Sequence, residues 1–174
     1  DRSKPFMSCN QTDLVSLSYP WVQAHPSNGF DMWYGSTRSW NAGNGEMLHV
    51  INHAYSSDGH QWQRTGLSVP YDLGIAQAFS RPTVAKGKNK NLEMWFSYRS
   101  GSGEKYQIGY AWSANGQDWN LDLDNSGISV SDSGWDSEMI EYPFVFDHAE
   151  SRYMLYNGNG FGKSGFGLAV LHES

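Results

Sequence analysis

Two patterns in this 174-residue sequence have residue types suited to chemistry. In "YNGNGFGKSGFG" (156–167), Gly160, Gly162 and Gly165 satisfy G-x-G-x-x-G, and Gly162-Lys163-Ser164 repeats the end of a phosphate loop whose first glycine is replaced by Asn157. The other is a charge inside an apolar run: Glu141 in "MIEYPFVF". A carboxylate there is costly unless it faces a channel or a partner, which makes Glu141 a candidate general acid. Arg81 interrupts "AFSRPTV" in the same way and is read as a sugar- or carboxylate-binding residue, with an inter-sheet salt bridge as the alternative.

A phosphate loop requires a strand leading into a helix whose N-terminus faces the phosphate. The residues after Phe166, "GLAVLHES", read as a short strand instead, so the glycines are assigned to hairpin chemistry.

Composition excludes several classes. A net charge of -6 with no basic run beyond "KGKNK" (86–90) argues against a nucleic-acid partner. No apolar run approaches the ~20 residues of a membrane helix. The single cysteine, Cys9, rules out an intrachain disulfide framework. With no signal-like segment, this leans toward a cytoplasmic location. Aromatic residues make up 15% of the chain and charged residues only 17%, below the roughly 25% of typical domains. Such a surface calls for extensive sheet packing or an aromatic-lined binding site.

An internal repeat positions these residues. "SLSYPWV" (17–23), "AFSRPTV" (78–84) and "MIEYPFV" (139–145) align on Pro20, Pro82 and Pro143. Each is followed by a second block, "DMWYGS" (31–36), "EMWFSY" (93–98) and "YMLYNG" (153–158). A third block appears in "NHAYSSDGHQW" (52–62) and "GYAWSANGQDW" (109–119), and its beginning recurs in "GFGLAVL" (165–171). The blocks are short, rich in β-branched and aromatic residues, and bounded by Gly, Asn, Asp and Ser, so they read as strands. No segment shows a capped amphipathic helix period. In the first unit the strands fall near 16–23, 30–36, 48–56 and 61–66. Asp58-Gly59 and Asn115-Gly116 supply the positive φ of tight hairpins, and Trp62 and Trp119 just beyond them are placed to fill gaps between sheets. Trp33 and Trp95, at matching positions, are assigned to the core.

The predicted fold is therefore all-β: a β-propeller of four-stranded antiparallel blades, about three of them in this chain, with a β-sandwich as the alternative. The repeats span approximately 16–70, 78–131 and 138–174, with residues 1–10 as a strand that closes the ring. Three blades are too few for a closed ring, so further blades upstream or self-association through exposed blade faces is expected.

The order of P-x-V, MWY and A-x-S-x-(D/N)-G-x-x-W resembles the five-bladed β-propeller superfamily of glycoside hydrolases. That superfamily includes the family 43 arabinanases and xylosidases, invertase-like enzymes and mannoside phosphorylases. The resemblance implies carboxylates projecting into a central funnel, a saccharide ligand of arabinose, xylose, fructose or mannose type, and in some members a calcium ion near the axis, to which no ligand here is assigned. It places Glu141 of "EYP" (141–143) at the general acid. Arg81 and Tyr19 stand where carboxylates are expected before Pro82 and Pro20. A lone Glu is half a glycosidase site, because cleavage requires two carboxyl groups across the bond. The substrate-binding candidates are Arg81, Tyr19, Tyr142, Ser80, Asn157, Asn159 and Lys163. Asp136 and Glu138 are weaker acid–base candidates. His49 and His53 are not read as a metal pair, and G-x-S-x-G is absent. Three readings follow: a glycosidase, a non-catalytic carbohydrate-binding propeller, and a protein-interaction scaffold.

Overall fold

The computed structural model describes residues 3–87 and 91–171. Eleven strands form three antiparallel sheets among these residues. The first is β1 (Ser16–Ala24), β2 (Phe30–Ser39), β3 (Leu48–Ser56) and β4 (Gln63–Leu67). The second is β5 (Gln77–Lys86), β6 (Leu92–Arg99), β7 (Gln107–Ser113) and β8 (Asn120–Leu121). The third has three strands, β9 (Glu141–His148), β10 (Ser151–Asn157) and β11 (Phe166–Val170). Each sheet is a simple meander in chain order, as the repeat predicts. The first strands lie side by side, with β5 against both β1 and β9. These sheets are blades, and β1, β5 and β9 are their inner strands.

Side-chain alternation explains how the blades stack, since successive residues of a strand point to opposite faces. On β6, Met94 and Phe96 pack toward the first blade with Trp33, Ile51, Phe79 and Trp119. Trp95 points the other way, into a second cluster with Ile108, Ile140, Val145 and Met154. Trp119 meets Trp33 edge-on at 5.8 Å, filling the gap between the first two blades as expected. Each inter-blade layer thus contains one buried tryptophan of the second block.

The tight-hairpin expectation holds only in part. Gly59 and Gly116 have φ of 75° and 78°, whereas Asp58 and Asn115 are absent from the positive-φ residues. The loops are six residues long because side chains build them. Ser56 Oγ accepts from the Gly59 amide at 2.8 Å, Asp58 Oδ1 accepts from the His60 and Gln61 amides at 2.8 Å, and Trp62 Nε1 donates to the Gly59 carbonyl at 3.2 Å. Ser113, Asn115, Gly116 and Trp119 repeat the arrangement.

The closing strand expected at residues 1–10 does not form: among the described residues of that segment there is no strand. The reason lies at Asp13. Fully buried, it accepts hydrogen bonds from Tyr34 at 3.0 Å, Asn52 at 2.8 Å and Arg64 at 2.7 Å. Arg64 also donates to the Ser8 carbonyl, and Met7 packs on Met32, Tyr34 and Ala54. The segment is pinned across the outer face of the first blade, away from β11. It covers the apolar face of Met32 and Tyr34, which explains why β2 is buried on both sides.

Removing a partner from a buried ion pair strands the other charge. Asp13→Ala is expected to cost about 3 kcal/mol of unfolding free energy in urea titrations. Adding Arg64→Met should recover part of that loss, and a double variant as unstable as the sum of both single changes would contradict the assignment.

Candidate functional site

The site is built where the three inner strands break their ladders. Tyr19, Arg81 and Tyr142, each directly before a proline, have φ of 51°, 49° and 57°. Proline disfavours the right-handed helical region for its predecessor, and positive φ is uncommon for a residue with a side chain. At each point the pairing slips, between Ser18 and Trp21, between Ser80 and Thr83, and opposite β9 between Leu155 and Asn157. Such a bulge re-aims a side chain out of the strand's alternation. Here all three turn to one place.

Arg81 lies between the two tyrosines. Its guanidinium carbon is 5.0 Å from the ring centre of Tyr19 and 4.5 Å from that of Tyr142, which is cation–π geometry. These residues, Pro20, Pro82, Pro143, Trp21 and Phe144 line an open hollow of about 200 Å³. Trp21 and Phe144 meet edge-on at 5.9 Å on its far side.

The residues just before the kinks occupy equivalent positions: Ser18, Ser80 and Glu141. Glu141 is wholly buried, and neither carboxyl oxygen has a hydrogen-bond partner. Burial pushes its pKa up to about 7, against the opposing pull of the Arg81 charge, the Tyr142 side chain and the Arg99 charge. Ser80 is buried with its hydroxyl unpartnered. Ser18 Oγ is 3.1 Å from His49 Nε2. That contact depends on Gly35, because a Cβ there would lie 2.7 Å from both His49 Nε2 and Ser18 Oγ. Desolvation lowers the His49 pKa to about 4, so the ring is neutral at pH 7.

A second layer surrounds Glu141. Arg99 pairs with the buried Glu46 at 2.7 Å and lies 4.6 Å from the ring centre of Tyr106. Tyr106 in turn faces Tyr142 at 6.5 Å and Phe161 at 6.2 Å. Glu46, His49, Arg99, Tyr106 and Phe161 were not among the sequence candidates. A signal existed for His49 and Arg99, which lie on strands of the repeat near the inner-strand kinks. Glu46 ends a G-x-G-E pattern (43–46) in the loop between β2 and β3, and the pattern recurs at 101–104 in the equivalent loop between β6 and β7, so the repeat carried a signal for it as well.

The remaining candidates separate. Asn157 is opposite Glu141 in the β9–β10 ladder and donates to the Phe161 carbonyl at 3.4 Å. Asn159 is a structural staple: its side-chain oxygen accepts from the Glu138 and Met139 amides at 2.8 and 3.1 Å, while its amide group donates to Gly134. Lys163 lines a different hollow, with Trp135, Glu138 and Asn159. Asp136 accepts from the Tyr156 hydroxyl at 2.9 Å. His53 is 2.9 Å from Asp31, away from His49's partner, and no group of three or more metal-ligating side chains occurs among the described residues. The glycine-rich stretch forms one distorted turn, α1 (Asn159–Gly162), between β10 and β11, with no helix to face a phosphate. Two of its neighbours, Gly158 and Gly167, make room for Trp135: a Cβ on either would come within 2.5 Å of the indole.

No protein-family model matches the chain. An uncharacterized protein of Mycobacterium tuberculosis, in each of two strains, is 42% identical over 170 residues, which is 97% of this chain and 55% of the relative. The chain thus spans about half the length of the curated relatives it matches. A family 117 glycoside hydrolase of Zobellia galactanivorans superposes with a TM-score of 0.76 at 16% identity, over 96% of this chain and 56% of that one. Another glycoside hydrolase gives 0.71 at 16%, over 98% and 51%. A family 32 β-fructofuranosidase of Bombyx mori gives 0.65 at 15%, over 92% and 34%. The chain has the fold of the propeller glycoside hydrolases. At these identities the likeness is one of fold. Among the described residues no helix is long and apolar enough to cross a membrane.

The two shifted groups act on stability with opposite sign. Between pH 4.5 and 7 the folded protein holds a proton on Glu141 that the unfolded chain lacks, so this contribution is full at the acid end and lost as pH rises. Between pH 4 and 6.5 the unfolded chain protonates His49 and the folded one does not, so that contribution is lost as pH falls. Burial of His53 acts in the same direction as His49. Glu141→Gln should therefore steepen the rise in stability from pH 4.5 to 6.5 by up to about 1.4 kcal/mol per pH unit. Urea unfolding at several pH values checks this, and an unchanged slope would mean Glu141 titrates normally.

Proposed function

We propose that this protein is a carbohydrate-active propeller of glycoside hydrolase type, with Glu141 as proton donor and the Tyr19–Arg81–Tyr142 hollow as part of its saccharide subsite. The observation that carries the reading is Glu141 itself: an unpartnered carboxyl buried on an inner strand, beside an open aromatic and cationic hollow. A general acid works best with its pKa near the operating pH, and a value of about 7 keeps the proton available in neutral solution. Once the proton passes to the leaving oxygen, the Arg81 and Arg99 charges stabilise the carboxylate. Arg81 stands in the wall of the hollow against the Tyr19 and Tyr142 rings, where its guanidinium can meet a bound sugar.

Cleavage also needs a second carboxylate about 5 to 9.5 Å from the first. Glu46 is a poor choice, since Arg99 and the Met47 amide hold its side chain. The curated relatives are nearly twice as long as this chain, and the proposal assigns the second carboxylate to that additional length. Arabinose, xylose, fructose and mannose glycosides are the substrates to screen. A non-catalytic carbohydrate-binding propeller is the second reading, favoured by the serines at positions 18 and 80, where Glu141 has its equivalents.

Full-length protein assayed on aryl arabinosides, xylosides, fructosides and mannosides should show turnover that falls above pH 7 as Glu141 ionises. Glu141→Gln should lower kcat by roughly 10²- to 10⁴-fold. Equal activity in both proteins would remove Glu141 from the mechanism. Glycan binding on an array without any hydrolysis would select the binding-module reading.

A further inference from the structure

Arg81 differs from three other arginines of the described residues. Arg64, Arg99 and Arg152 each have a carboxylate partner, namely Asp13, Glu46, and Glu93 with Asp147. Arg81 forms no ion pair or hydrogen bond among the described residues, although the protein has a net charge of -6 and acidic side chains are abundant. It is exposed, lies in the wall of the hollow, and is held in left-handed backbone geometry with φ of 49°. Tyr19 and Tyr142 flank the guanidinium from two sides, which restricts its rotamers while leaving its edge N–H groups unused.

A guanidinium offers five donors in a planar fork and favours carboxylate or phosphate oxygens over neutral hydroxyls. A neutral sugar could be bound by hydroxyl and amide side chains without this arrangement. Resting on the saccharide-subsite reading above, we propose that the ligand of this hollow is an anionic saccharide, whose carboxylate or phosphate-ester group pairs with Arg81 while the sugar ring meets Tyr19, Tyr142 and Trp21. Among the described residues no other cation lines the hollow, so the selectivity rests on Arg81.

The test is calorimetric titration of the full-length protein with methyl β-D-glucuronide, glucose 6-phosphate and methyl β-D-glucoside. At least one anionic probe should bind about 10-fold or more tightly than the neutral glucoside. A preference for the glucuronide assigns a carboxylate, and one for the phosphate assigns a phosphate ester. Arg81→Gln should abolish the preference, bringing the anionic probes down to the affinity of the glucoside for the same variant, and Arg81→Lys should keep part of it, with thermal unfolding checked for both. Equal affinities for all three probes, no binding of any, or a preference that survives Arg81→Gln overturns the inference. In those cases, Glu141-dependent turnover of a neutral aryl glycoside would leave the proposed function standing. Conversely, Arg81-dependent glucuronide binding without turnover of any glycoside supports the inference and removes the hydrolase reading.

Discussion

The left-handed kink before each inner-strand proline governs the rest of the site. A regular strand would alternate Ser18 with Tyr19, Ser80 with Arg81 and Glu141 with Tyr142 across opposite faces of the blade. The kinks break that alternation at equivalent places in three blades, so three long side chains converge instead of dispersing into inter-blade layers. The strained geometry is supported by neighbouring groups. Ser97 Oγ accepts the Tyr142 amide at 2.7 Å and Thr83 Oγ1 accepts the Val145 amide at 3.2 Å, so hydroxyls of the second blade hold amides of the third blade's inner strand. The same contacts fix β9 against the second blade and thereby place Glu141.

Asp13 and Glu141 show how identical burial leads to opposite chemistry. Both carboxyls are fully buried. Asp13 is met by a phenol, an amide and a guanidinium, so its charge is satisfied and it ties the N-terminal segment to the first blade. Neither Glu141 oxygen has such a hydrogen bond, and desolvation outweighs the pull of Arg81, Tyr142 and Arg99 to bring its titration to neutral pH. Glu46, equally hidden from water, is taken up by Arg99. Of these three, Glu141 is the carboxyl whose oxygens have no hydrogen-bond partner, and it is the one beside the hollow.

Much of the architecture was legible because a propeller repeats its packing problem. Pro20, Pro82 and Pro143 marked the inner strands, and Trp33 and Trp95 marked the inter-blade layers. The site was harder to read. Arg81, Tyr19 and Tyr142 are brought together because they share a repeat position. Asn159 and Lys163 were drawn from a polar loop whose residues mostly serve the loop itself: Asn159 satisfies backbone amides, and Lys163 faces another hollow. In the same loop it is Phe161, with φ of 63°, that turns toward Tyr106. Sequence patterning identifies polar residues in a loop, but loop hydrogen bonding decides which of them remain free.

By itself the sequence determined the strands, their grouping into three blades and the unusual position of Glu141 on an apolar inner strand, since all of these follow from local periodicity and repetition. Only the tertiary structure decided that the N-terminal segment binds the first blade, that Arg99 is engaged by Glu46 while Arg81 is not, and that His49 reaches Ser18 across Gly35. These are contacts between residues 21 to 56 positions apart, set by how sheets and the N-terminal segment lie against one another, and no local pattern encodes such distances.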